Sequence, residues 1–155
     1  MLSARLVKLI EDHAEQLTAG LVKDLQNNPR TPAYHKLSHQ ELHRRTYEVY
    51  RHLGECLGHK ADDRIEASYR ELGQERHAET VPVNEVVYAL ILTKYHLRDY
   101  IRAAGLVSGA VELYQQLELD RLVGQFFDKA TYYMVRGYEH AAAPHQEPAV
   151  AADSR

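Results

Sequence analysis

The chain has 155 residues, of which 26% are charged and 45% hydrophobic, the balance of one globular domain long enough to bury a core. Its 19 basic and 22 acidic side chains leave a formal charge of −3, so no basic footprint for nucleic acid is present. The longest apolar run, residues 86–92, falls far short of the roughly 20 residues a membrane span requires. Arg5, Lys8, Glu11 and Asp12 interrupt any signal-peptide core, so a cytoplasmic location is expected, and the single cysteine, Cys56, excludes an intramolecular disulfide.

Helical periodicity runs between widely spaced glycines and prolines. The first predicted helix covers about residues 2–26, with Leu2, Leu6, Leu9, His13, Leu17, Leu21 and Leu25 on one stripe, and Asn27-Asn28-Pro29 stops it. After a loop over residues 30–36, Ser38 and Glu41 form a capping box with Leu37 and Leu42 as a hydrophobic staple. That second helix carries Leu42, Thr46, Val49, Leu53 and Leu57 inward and ends at Gly58. Asp63 with Glu66 repeats the capping pattern for a third helix, which turns Ile65, Tyr69 and Leu72 inward. Pro82 opens a fourth, closed by Gly105, with Val83, Val86, Val87, Leu90, Leu97 and Ile101 facing the core. Ser108 caps a fifth that reaches about Tyr138, on the order of 45 Å and longer than a small bundle needs. Residues 141–155 are rich in Ala and Pro and are expected to form a disordered tail or linker. The predicted architecture is all-α: a single-domain bundle of about five helices over residues 1–140.

Ten histidines and eleven tyrosines without tryptophan are the compositional oddity. His39 and His43 share a helix face, but Gln40 and Leu42 stand where either zinc-peptidase pattern needs glutamate, so a solvated face is expected. His52, Cys56 and His59 recur at spacings that return to one face; Gly58 ends the helix before His59, and Cys56 reads as a small buried hydrophobe. His13 and His96 lie on or beside apolar stripes, with Tyr69 and Tyr133 on neighbouring helices. Satisfied core residues are the ordinary reading of these four; a polar pocket inside a bundle is the functional one. Gly20, Gly73 and Gly124 sit inside helices and need compensation, either close helix contact or room for a ligand. No nucleophile–base pair, phosphate loop or carboxylate cluster is visible, so catalysis is not expected.

The segments Asn28-Pro-Arg-Thr-Pro-Ala-Tyr34, Leu37-Ser38 and Leu72-Gly-Gln-Glu-Arg-His-Ala-Glu-Thr-Val-Pro-Val-Asn-Glu-Val-Val87 resemble the N-terminal domain of the RsbT co-antagonist family, the RsbR-type stressosome proteins, over about residues 2–139. The resemblance implies a non-enzymatic, all-helical sensory or regulatory module that precedes an output domain, often a STAS domain. In the better-known members that module is a haem-free dimer related to the globin fold. No STAS-like pattern follows Glu139, so the domain either acts alone or its Ala/Pro segment begins a linker; the long fifth helix running into that segment favours the linker.

The expected function is therefore a cytoplasmic, homodimeric sensor, without a cofactor, that passes a stress or ligand signal through its last helix to a STAS- or kinase-type output domain or partner. Its small-molecule site is expected in the bundle interior near His13, Tyr69, His96 and Tyr133. The alternative is a metal- or haem-binding bundle using the surplus histidines, with His52, Cys56 and His59 as its donors.

Overall fold

The computed structural model describes residues 4–58, 62–104 and 109–144. These form seven α-helices, α1 (Ala4–Asp12), α2 (Ala14–Asn27), α3 (His39–Arg51), α4 (Leu53–Cys56), α5 (Asp62–Ala78), α6 (Val83–Ala103) and α7 (Ala110–Ala142), with a 3₁₀ turn at Pro32–Lys36. No strand occurs among the described residues. The all-α bundle expected from periodicity is present.

Two more helices than expected arise from two breaks, each at a histidine. At His13 the backbone leaves the helical basin (φ −107°, ψ 17°), and the His13 imidazole turns back to the Leu9 carbonyl at 2.8 Å. His52, with φ −117° and ψ 33°, separates α3 from α4. A tertiary contact fills the second break: the Glu11 carboxylate accepts the Gly54 amide N–H at 2.9 Å. The end of α1 thereby satisfies a donor that a helix start leaves open.

Other boundaries follow local chemistry. The Ser38 hydroxyl accepts the Glu41 amide N–H at 3.2 Å, as a capping residue should. Pro82 sits at the N-cap of α6 rather than in its first turn, and Asp63 falls inside the first turn of α5. Thr80 closes α5 in the left-handed region (φ 60°), where the Val81 N–H reaches the Arg76 carbonyl at 2.9 Å and the Thr80 N–H the His77 carbonyl at 3.0 Å. This is the double closure of a Schellman turn. Gly105 and Ser108, the expected end of the fourth helix and cap of the fifth, and residues 145–155 of the expected 141–155 tail lie outside the described residues; Ala141 and Ala142, expected in that tail, are instead the last residues of α7.

In space the helices run α3, α2, α6, α7, α5, with α6 in the middle and α3 and α5 standing on either side of a gap. The core is continuous across them: Ile10, Leu21, Val22, Tyr50, Leu53, Val86, Leu97, Leu119, Val123 and Met134 are essentially without solvent exposure. α7, with 33 residues, is about 50 Å long. Leu119 is its first fully buried side chain, and Val111, Leu113, Tyr114 and Leu117 before it are exposed.

The tightest seam joins α5 to α7. A Cβ at Gly73 would stand 2.6 Å from the Tyr138 amide nitrogen and closer still to the Met134 carbonyl oxygen; one at Gly137 would stand 2.7 Å from the Arg70 Cα. The two backbones touch, which only glycine permits. Gly20 and Gly124 have open space around their missing Cβ, so of the three glycines noted in the sequence only Gly73 marks close helix contact, and Gly137 is its unforeseen partner.

Candidate functional site

The gap between α3 and α5 forms a half-open cavity of about 390 Å³, within the range that holds small ligands. α6 forms its floor through Val86, Ala89, Leu90 and Thr93; Thr46 and Val49 of α3 face Ile65, Tyr69 and Leu72 of α5 across it, and Phe126 of α7 closes the far side. The helical spacing of α5 puts Ile65, Tyr69 and Leu72 on one face. Tyr69 is held edge-on to Phe126, with ring centroids 5.8 Å apart. Burial pushes its phenol well above the ordinary tyrosine value, so the hydroxyl stays protonated and presents a neutral hydrogen-bonding group. Cys56, also on the lining, has its thiol pushed up to about 11, first by burial and then by Glu55 and Glu11; it is an unreactive thiol at neutral pH.

One end of the cavity is closed by a charged cluster. Arg76 is only 2% exposed, and its Nη1 donates to Glu41 of α3 at 2.9 Å and to Glu79 at 2.8 Å. Its guanidinium lies 5.5 Å from the ring centre of Tyr34, whose phenol is pushed up to about 12 by burial against the opposing pull of Arg76. A shared hydrogen bond holds the Glu41 carboxyl low and, after burial, raises that of Glu79, so the two carboxylates behave as a pair sharing one cation. The capping box is therefore only half formed: Ser38 caps α3, while the Glu41 side chain reaches to Arg76 instead of back to Ser38. Buried Glu85 accepts the Ala33 amide N–H at 3.2 Å, which fixes the 3₁₀ turn beside this cluster.

At the side of the cavity Arg45 ties α3 to α5, pairing with Glu75 at 2.8 Å and reaching the Ser68 carbonyl at 3.4 Å. Three side-chain atoms are buried without a hydrogen-bond partner among the described residues: Nε of Arg45, Nε of Arg76 and Oγ1 of Thr18. Both arginines line the cavity, and Thr18 does not.

Of the four residues expected to gather in the interior, only Tyr69 lines this space. His13 occupies the exposed α1–α2 break, tilted 6.1 Å from Tyr100. His96 is half-buried and bonded to Asp24 of α2 at 2.7 Å. Tyr133 lies along the α5–α7 seam, where Arg70 sits 5.9 Å from its ring centre. The expected four-residue pocket is corrected accordingly: small rotations about the helix axes decide which of several tyrosines and histidines beside an apolar stripe face a shared space. Arg45 and Arg76 had no signal in the sequence, because their placement across the gap depends on Glu75, 30 residues from Arg45, and on Glu41, 35 residues from Arg76.

His43 is pinned to Glu15 of α2 at 2.8 Å and stacks on Tyr47, while His39 is exposed. His52 and Cys56 both border the cavity, and His59, their third expected donor, lies outside the described residues. Among the described residues no group of three or more His, Cys, Asp or Glu side chains could hold a metal ion.

The model of the RsbT co-antagonist protein RsbRD N-terminal domain family matches residues 11–146 of this chain. The chain belongs to that family. As an RsbRD N-terminal domain it is a stressosome-type regulatory domain, and that family is a non-catalytic one. No curated protein and no solved structure matches the chain. Among the described residues no helix of this RsbRD-type domain is long and apolar enough to cross a membrane.

Proposed function

We propose that this RsbRD-type domain is a non-enzymatic, cytoplasmic input module that binds a small molecule in the α3–α5 cavity. It relays occupancy through α7 to a STAS- or kinase-type output domain or partner. The observation that carries this reading is the double engagement of α5. One face, through Ile65, Tyr69 and Leu72, walls the cavity; another touches the α7 backbone at Gly73 and Gly137. With the two backbones in contact at Gly73 and Gly137, a displacement of α5 by a ligand is passed to α7 as a rigid shift. Tyr69 is then the ligand-contacting member of the four residues first expected.

The working unit is a homodimer formed along the start of α7. Val111, Tyr114 and Leu117 are 67%, 72% and 55% exposed and repeat at a spacing of three, so an apolar strip projects past the core, where a second copy can cover it.

Two measurements test the reading. Filling the cavity with Ala89→Leu is expected to alter amide hydrogen exchange in α7 together with α3 and α5; a change confined to α3 and α6 would overturn the relay. In sedimentation at micromolar concentration two chains are expected, falling to one with Leu117→Glu, whereas a monomeric wild type would sink the dimer.

A further inference from the structure

We infer that the ligand of the cavity is an uncharged, largely apolar alcohol or phenol whose hydroxyl is met by Tyr69 and Thr46. This rests on the reading of the cavity as an input site and names the chemistry of its occupant.

The buried hydroxyls of the chain fall into two groups. Those of Thr31, Tyr50 and Thr93 each donate to a backbone carbonyl, at 2.8, 2.9 and 2.8 Å. Tyr69 and Thr46 are also buried, at 8% and 9% exposed, but their hydroxyls bond to none of the described residues. Thr93 and Thr131 turn back to the carbonyl four residues earlier, the usual resort of a helical threonine; Thr46 does not. Neither free hydroxyl is sealed away. Among the described residues, the unpartnered side-chain atoms cut off from solvent belong to Thr18, Arg45 and Arg76, whereas Tyr69 and Thr46 line the half-open cavity from its facing walls. An occupant can therefore reach both oxygens. A hydroxyl donates and accepts, so a ligand hydroxyl can receive from one wall and give to the other.

The charges around the cavity do not select an ion. Arg44, Glu48, Glu55, Arg64 and Glu71 border it but are exposed, so water and salt screen them. Arg45 is taken by Glu75, and Arg76 by Glu41 and Glu79. At the rim Arg64 faces Glu55 at 3.8 Å and His52 faces Glu48 at 3.7 Å, which leaves Arg44 and Glu71, one of each sign. Val49, Ile65, Leu72, Leu90 and Phe126 offer no hydrogen bonds from their side chains. A charged ligand would lose its hydration there without a matching counter-charge, while an apolar body gains by leaving water.

β-Naphthol, naphthalene and β-naphthoate share a ring system and differ only in the substituent. The chain has no tryptophan, so naphthyl fluorescence can be followed directly in a titration. β-Naphthol is expected to bind once per chain, about fivefold more tightly than naphthalene, the worth of one hydrogen bond, and at least about tenfold more tightly than β-naphthoate. Tyr69→Phe removes only the oxygen. It should bring β-naphthol to the affinity of naphthalene, leave naphthalene unchanged and, since the hydroxyl has no protein partner, leave the circular dichroism melt unchanged. Thr46→Val should weaken β-naphthol about twofold. Ala89→Leu, which fills the floor, should abolish binding of both neutral probes. Equal binding of β-naphthol and naphthalene, insensitive to Tyr69→Phe, would overturn the hydroxyl assignment while leaving an apolar ligand cavity in place. Tightest binding by β-naphthoate would overturn the uncharged assignment, and binding that survives Ala89→Leu would place the molecule elsewhere. Binding of none of the three would overturn this inference and the input-site reading together. The relay reading stands or falls separately, on whether Ala89→Leu reaches α7.

Discussion

α5 treats two of its neighbours, α7 and α3, differently. Towards α7 it offers Gly73, and the backbones meet with nothing between them; towards α3 it offers Tyr69, Leu72 and Arg76, and a cavity opens. Small residues bring helix axes together, and long side chains that end in charged or aromatic groups prop them apart. The propped side is closed at its end by Arg76 and its two carboxylates, so the gap is framed by polar bonds rather than filled by core. One rigid face and one hollow face on a single helix is the arrangement a transmitting element needs, since it can be moved from one side and be felt on the other.

The largest expected effect comes from the frame of the hollow side. Arg76→Met removes the cation between Glu41 and Glu79 and should cost about 3 kcal/mol in urea unfolding; a loss below about 1 kcal/mol would mean that the cluster is not what holds α3 to α5. Gly137→Ala tests the rigid side. The added methyl meets the Arg70 backbone, and about 2 kcal/mol of destabilisation is expected from overpacking. Gly124→Ala, with open space around it, should instead stabilise by about 0.5–1 kcal/mol. If both substitutions shift stability in the same direction, the contrast between the two faces is lost.

Tyr50→Phe should cost about 1 kcal/mol by leaving the Thr93 carbonyl without its donor, measured by thermal melting. The smallest effect concerns Asp24. Burial works to raise its carboxyl, but hydrogen bonds from His96 and Asn28 outweigh this and hold it below its ordinary 3.8. Its contribution is therefore present above that value and fades as pH falls through the lower folded-state value. Solvent screening at this one-third-exposed pair limits the contribution to about 0.5 kcal/mol. Asp24→Asn should flatten the acid limb of the stability curve below about pH 4; an unchanged limb would show that the His96 bridge carries no stability.

Much of the scaffold was legible because it rests on local chemistry. Ser38 accepts the Glu41 amide as its position promised, Tyr69, Ile65 and Leu72 face inward as their spacing required, and the length of the last helix follows from the absence of a strong breaker. The breaks at His13 and His52 were not legible, since no proline or glycine marks either position and the Glu11–Gly54 bond that completes the second spans 43 residues. The same is true of the site. Tyr69 could be placed by periodicity alone, but Arg76 reads as a surface residue until Glu41, Glu79 and Tyr34 are set around it.

The amino-acid sequence by itself determined an all-helical domain of the RsbRD kind, its inward stripes and its overlong last helix, because caps, breakers and the 3.6-residue period act within a few residues. Only the tertiary structure decided which glycines touch, which arginines are buried and where the core leaves room. Those depend on how helices distant in the chain are rotated and spaced against one another, and no local pattern encodes a distance between two helices.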